Sequence, residues 1–140
     1  MKYLRRFIPL LLGVALVACR SSGAPVSHAA NLGEEVELAP GERAVFEPHG
    51  LTVEFVKVVE DSRCPTDVTC VWAGEVKVLL STRIRAADAF QSEITAGQDA
   101  TVGDFRLAVV RVQPERVSTR EIAPEEYRVT LSVQSEQTAK

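Results

Sequence analysis

The sequence predicts an all-β protein: a single antiparallel β-sandwich of about seven short strands, with an immunoglobulin-like outline, after a signal peptide and a flexible tether. Three observations predict this fold. Apolar and polar residues alternate with a period of two in several segments, as in strands with one buried face. Pro and Gly turn signals recur about every 8–12 residues, the spacing typical of sandwiches and small barrels. No segment of about ten or more residues after the N-terminal region has helical periodicity.

The predicted strands follow one another closely and are separated by turn residues. The first ends at Pro40-Gly41 and the second at Pro48-His49-Gly50, where Pro and Gly supply the backbone angles that turns require. In chain order the seven strands are Glu34–Leu38, Arg43–Glu47, Leu51–Val59, Val76–Ile84, Phe90–Thr95, Phe105–Val112 and Glu126–Val133.

The fourth and seventh strands each show one face directed to the core. The residues on these faces are Val76, Val78, Leu80, Thr82 and Ile84 in the fourth strand, and Tyr127, Val129, Leu131 and Val133 in the seventh. In the sixth strand the apolar face shifts near Val109-Val110, which indicates a β-bulge or burial on both sides.

The N-terminal segment has the organisation of a secretory signal peptide. A basic start is followed by the apolar run FIPLLLGVALVA, residues 7–18, which is too short to span a bilayer since about 20 residues are needed. The run ends in Leu16-Val17-Ala18-Cys19, which resembles the lipobox of bacterial lipoproteins. An ordinary cleaved signal peptide with a coincidental cysteine is the alternative.

The lipoprotein resemblance implies cleavage after Ala18 and a lipid anchor on Cys19. Cys19 would carry a diacylglyceryl group and often a further acyl chain such as palmitate, and two or more chains hold a protein stably at a membrane. Arg20 stands where an aspartate favours inner-membrane retention in the enterobacterial pattern. The expected location is therefore the bacterial cell envelope, with the outer membrane facing the periplasm favoured over the inner membrane.

The rest of the chain divides into a tether and one domain. Residues 19–33 contain Ser, Ala, Gly and Pro without periodicity, which predicts a flexible tether, and residues 34–140 suffice for one sandwich domain. Without the three basic residues of the signal, 13 basic residues face 19 acidic ones. An acidic chain without a basic stripe argues against nucleic acid as a partner and against adhesion to anionic lipid, so the lipid anchor is the predicted membrane contact.

The stretch DSRCPTDVTCVWAG, residues 61–74, allows three interpretations. A disulfide between Cys64 and Cys70 would close a short loop and add roughly 2 kcal/mol of stability, with Trp72 packed near the bridge or capping the sandwich. A metal site would need more ligands than the spacing offers, and only His28 and His49 could contribute. Redox activity normally uses a C-x-x-C pair at a helix start. The disulfide is the favoured interpretation, since exported cysteine pairs are usually bridged.

The same stretch resembles a motif of small exported bacterial proteins of uncharacterised function, in which DSRCP is followed by C-x-W-x-G. Those proteins also have a strand ending in Val-x-Pro and a last strand Y-x-V-x-L, matched here by Val112–Pro114 and by Tyr127–Leu131. The resemblance supports the sandwich and the disulfide and implies no activity.

No catalytic constellation, nucleotide-binding motif or cofactor site is recognisable, so a non-enzymatic protein without metal or cofactor is predicted. The expected function is that of a membrane-anchored lipoprotein whose β domain contacts other envelope components, among them envelope proteins. Arg63, Asp67 and Trp72 form the predicted contact patch if the loop is exposed, and Arg63→Ala would then leave folding intact and weaken partner binding. For Arg63 itself, an ion pair with a nearby carboxylate is favoured over a partner site. The alternative is a small-ligand or metal-binding lipoprotein that uses the Cys64–Cys70 loop with His49.

Overall fold

The computed structural model describes residues 24–136, which fold into a sandwich of two β-sheets. The all-β prediction is confirmed. The strands are β1 (Ser27–Ala30), β2 (Glu35–Leu38), β3 (Arg43–Phe46), β4 (Leu51–Asp61), β5 (Val76–Ile84), β6 (Phe90–Thr95), β7 (Asp99–Val102), β8 (Phe105–Gln113) and β9 (Arg128–Ser135). A single 3₁₀ turn, Pro124–Glu126, precedes β9. No helix in the described part of the chain is long and apolar enough to cross a membrane.

Most neighbouring strands in each sheet are consecutive in the chain. One sheet has the order β1-β3-β4-β5-β6 and the other β2-β9-β8-β7. All pairs are antiparallel except β1 with β3, which run parallel. Antiparallel pairs of consecutive strands therefore form most of each sheet, and the chain changes sheet between β1 and β2, between β2 and β3 and between β6 and β7.

The core lies between the two sheets and is formed by the alternating residues that the sequence indicated. In β5 the residues from Val76 to Thr82 at every second position are buried, and in β9 Val129, Leu131 and Val133 are fully buried. Thr130 is also buried, so the predicted alternation of β9 is incomplete at this residue. The register of β8 against β9 shifts between Val109 and Arg111, which confirms the predicted bulge.

Two strands lie outside the seven that the alternation predicts. β1, Ser27–Ala30, falls within residues 19–33, the range assigned to the tether, and pairs with β3 through a register that begins at Ser27 and Arg43. Only Ala30 of β1 is buried, so a four-residue edge strand gives almost no periodic signal. β7 is an equally short strand with one buried residue, Val102. The sandwich thus begins at Ser27.

The long strand β4 runs from one end of the sandwich to the other. The turn that contains His49 joins β3 to β4 at one end, and residues 62–75, here termed the Cys loop, join β4 to β5 at the other end. At about 3.3 Å per residue, the eight steps of β5 that pair with β4 place these two ends roughly 26 Å apart. The segment 114–127, which joins β8 to β9, shares the end occupied by the Cys loop, since Arg63 reaches the carbonyls of Val112 and Pro114.

Candidate functional site: the Cys loop

The Cys loop begins as an extension of the β4–β5 hairpin. The amide of Ser62 donates to the carbonyl of Glu75 at 2.8 Å, and the amide of Cys64 donates to the carbonyl of Ala73 at 2.8 Å. The Ser62 hydroxyl donates to the Glu75 carbonyl and accepts from the Glu75 amide, both at 3.1 Å. The hairpin therefore continues beyond the sheet, and residues 65–72 form its tip.

Gly74 makes this narrow extension possible. Its φ is +69°, in the left-handed region that favours glycine, and a Cβ placed on it would lie 1.8 Å from the carbonyl oxygen of Ser62. The two segments of the hairpin approach each other too closely here for any side chain at position 74.

Cys64 and Cys70 are at disulfide distance, with sulfur atoms 2.15 Å apart and Cα atoms 5.9 Å apart. Among residues 24–136 no three His, Cys, Asp or Glu side chains are grouped so that they could hold a metal ion. His49 lies at the other end of β4 and stacks edge-on against Phe105. The Cys loop and His49 therefore cannot form one ligand site, and that part of the metal-binding alternative is wrong.

Arg63 lies inside the base of the loop. Its Nε and Nη2 donate to the two carboxylate oxygens of Asp61 at 2.8 and 2.6 Å, and Nη1 and Nη2 donate to the carbonyls of Val112 and Pro114 at 2.8 and 2.9 Å. The Tyr127 hydroxyl donates to Asp61 at 3.0 Å. The side chains of Arg63 and Asp61 are only 19% and 7% exposed. The favoured prediction for Arg63, an ion pair with a nearby carboxylate, is confirmed by Asp61. The contact role also considered for Arg63 does not fit its burial, and its bonds to Val112 and Pro114 tie the two sheets together.

Arg116 also holds the base of the loop. Its Nη1 donates to the carbonyls of Asp61 and Arg63, each at 3.1 Å. Its own carbonyl accepts the amide of Thr66 at 2.9 Å. Arg116 could not be recognised from the sequence, since no motif marks an arginine that binds backbone carbonyls more than 50 positions away.

Asp67 ties the tip of the loop to the same segment. Its carboxylate accepts the Ser118 amide at 2.8 Å and the Ser118 hydroxyl at 2.6 Å. These hydrogen bonds hold the pKa of Asp67 below its ordinary value. Although Asp67 is exposed as predicted, its carboxylate already accepts two hydrogen bonds within the chain.

Trp72 differs from Arg63 and Asp67, because its side chain makes no such bonds within residues 24–136 and projects into solvent. Its side chain is 83% exposed, next to Val71 at 92% and near Val68 at 47%. The expectation that Trp72 packs near the bridge or caps the sandwich is wrong. Val68, Val71 and Trp72, here termed the apolar tip, are large hydrophobic side chains carried on a loop that three sets of hydrogen bonds hold in place.

Two open clefts flank the loop. One, of about 420 Å³, lies between the end of β4 and segment 114–127 and is lined by Lys57, Glu60, Arg116, Glu121 and Tyr127 among others. The other, of about 360 Å³, lies between the Cys loop and the end of β8 and is lined by Arg63, Arg111 and Glu115 among others. Both mix acidic and basic side chains, so neither has the uniform charge of a dedicated anion or cation site.

The charge state of Asp61 follows from its contacts. Burial alone would raise the pKa of this carboxyl, but the hydrogen bonds and charge of Arg63, with the Tyr127 hydroxyl, outweigh it and hold the pKa below its ordinary value. Burial and the hydrogen bond to Asp61 raise the pKa of Tyr127. The cluster is therefore built around an ionised Asp61 and a neutral Tyr127.

This lowered pKa predicts a loss of stability in acid. The unfolded chain takes up the Asp61 proton first, so the stability that Asp61 contributes is fully present above about pH 5 and is lost as the pH falls through the folded-state value. We expect Asp61→Asn to be less stable than the native protein at pH 7 and to lose less stability than it between pH 7 and pH 3, measured by urea unfolding. The exposed Asp88→Asn should keep the native acid dependence. Parallel losses in the native protein and Asp61→Asn would contradict the assignment.

Comparison of the chain with protein-family models, curated proteins and solved structures finds no match in any of the three.

Proposed function

We propose that the protein is a non-catalytic lipoprotein of the bacterial cell envelope, anchored through Cys19, whose sandwich domain acts by contact with other envelope components. The lipobox sequence supports the anchor, and Cys19 lies outside the described residues. The expected location is the periplasmic face of the outer membrane. The contact surface that we assign is the apolar tip rather than the patch of Arg63, Asp67 and Trp72 that the sequence favours.

The exposure of Trp72 and Val71 is the single observation that carries this assignment. Large apolar side chains left in water lose the free energy that burial would give them, about 1.5–3 kcal/mol for one side chain of this class. A loop that serves only to connect two strands has no need of such residues at its tip. Exposed tryptophan is the residue type most enriched where binding energy is concentrated.

The rigidity of the Cys loop supports the same assignment. The bonds from Arg63, Arg116 and Ser118 fix the loop before any partner arrives, and Cys64 and Cys70 close its tip. A contact surface ordered in advance loses little conformational entropy on binding. The base of the loop is therefore the support, and the apolar tip is the surface that it presents.

The proposal is tested by photo-crosslinking in living bacteria that express the full chain. A photoreactive phenylalanine analogue replaces Trp72 in one strain and Phe90 in a control strain. Phe90 is also an exposed apolar residue, 44% accessible, but it begins β6 toward the other end of the sandwich. We expect adducts with envelope components, protein or lipid, several times more abundant from position 72. Equal yields from the two positions would refute the apolar tip as the contact surface.

A further inference from the structure

We infer that the apolar tip contacts the lipid bilayer that holds the Cys19 anchor, at the level of the head groups of zwitterionic phospholipids. This inference rests on the proposed lipidation of Cys19. It adds that the domain stands with the Cys-loop end against the membrane and the His49 end directed away from it.

The direction of β1 is the first observation. β4 runs from the His49 turn toward the Cys loop, β3 runs antiparallel to β4, and β1 runs parallel to β3. β1 therefore runs away from the Cys-loop end, and the chain that precedes Ser27 comes from that end. The carbonyl of Val26 accepts the amide of Arg43, which continues the strand direction for one more residue. The chain that leads to the proposed anchor therefore enters the domain from the Cys-loop side.

The length of the tether is the second observation. Ser27 is level with Ser81 of β5 through the pairings with Arg43 and Glu54. From this level, five residues lead back to Val76 and three more to Ala73, a distance of about 26 Å at 3.3 Å per residue. The eight residues from Cys19 to Ser27 span at most about 28 Å.

The reach of the tether and the distance from Ser27 to the loop base together limit how far the Cys-loop end can stand from the membrane. A fully extended tether just brings Cys19 to the level of the loop base, and any shorter path draws the loop end onto the surface that holds the anchor. Had the sandwich begun at residue 34, as the sequence suggested, the domain could have stood well clear of the membrane. Because β1 starts at Ser27, the domain cannot stand clear of the membrane when its Cys-loop end faces the membrane.

The chemistry of the apolar tip fits a bilayer surface. Tryptophan is enriched at membrane interfaces, where its ring lies among the head groups. Val68 and Val71 supply further apolar surface beside it. The tip contains no basic side chain, and the mature chain is acidic, so the contact is apolar rather than an attraction to anionic lipid. One such loop would bind a membrane weakly by itself, and the anchor makes the contact effectively intramolecular.

The test uses the fluorescence of Trp72, the one tryptophan in the sequence. The full-length protein is purified from bacterial membranes, its acylation is verified by intact mass, and it is reconstituted into phosphatidylcholine vesicles. The control is the double variant Trp72→Phe, Phe90→Trp, which moves the fluorophore toward the other end of the sandwich. We expect blue-shifted emission from Trp72, quenching by bromine-labelled phosphatidylcholine, and acrylamide quenching about threefold weaker than in the control.

A second variant tests the role of the tether. Insertion of about 20 Gly and Ser residues after residue 23 lowers the effective concentration of the tip at the surface. Quenching by the brominated lipid should then fall while acylation and membrane fractionation persist.

Three results would overturn the inference. If brominated lipid quenches position 72 no more than position 90, the tip does not touch the bilayer. If position 72 crosslinks in cells to a protein and shows no lipid quenching, the proposed contact function stands and the bilayer is not its partner. If intact mass shows no acyl chain on Cys19, both the anchor and this inference fail.

Discussion

Gly74→Ala is expected to lower the free energy of unfolding by roughly 3 kcal/mol or more. Two costs combine at this position. A non-glycine residue at a φ of +69° is strained by about 1–2 kcal/mol. The added Cβ would also lie 1.8 Å from the Ser62 carbonyl oxygen, a backbone atom that can yield only if the hairpin extension opens. Opening it would break the bond between the Cys64 amide and the Ala73 carbonyl.

Gly97→Ala is the matched control for this prediction. Gly97 has a φ of +83°, but a Cβ there would meet nothing within 4 Å. The control therefore carries the backbone strain without the collision, and its expected cost is about 1–2 kcal/mol. Urea unfolding of both variants gives the two free energies. Equal losses in the two variants would mean that the collision of the added Cβ with the Ser62 carbonyl adds no cost to the backbone strain.

The strands could be predicted from the sequence wherever one face is buried over several residues. β5 and β9 have this property, since four of nine residues in β5 and four of eight in β9 are buried, nearly all at alternate positions. The pattern is local, because the period of two is written along the strand itself. β1 and β7 could not be predicted in this way, because each has only one buried residue among four. β2 has the same burial and was recognised instead from the turn at Pro40-Gly41 that follows it.

The candidate site could be located from the sequence, but the roles of its residues could not. The cysteine pair, Gly74 and the single tryptophan mark the loop as unusual. Arg63 and Asp61 pair with each other across two positions, but their remaining side-chain partners lie 49 to 66 positions away in the chain. Only the packing of the two sheets brings them together. The pairing of Arg63 with a nearby carboxylate could therefore be predicted from the sequence, but its bonds to the other sheet could not.

Arg63→Ala is the second substitution for which we expect a large effect, a loss of about 3 kcal/mol in the free energy of unfolding. The variant leaves the carboxylate of Asp61, 7% exposed, without its charged partner. It also removes the donors to the carbonyls of Val112 and Pro114. Removal of one member of a buried, hydrogen-bonded pair costs far more than loss of a surface ion pair, because the remaining charge stays desolvated.

Two further variants separate charge from geometry in this prediction. Arg63→Lys keeps the positive charge but not the planar fork that reaches Asp61 and two carbonyls, so it should recover only part of the loss. Arg111→Ala, at an exposed position of β8 close to the loop, should change stability by no more than about 0.5 kcal/mol. The measurement is urea unfolding at pH 7, followed by the far-ultraviolet signal. If Arg63→Ala unfolds at the native midpoint, the arginine is not the tie between the sheets, and a contact role for it at the surface returns to consideration.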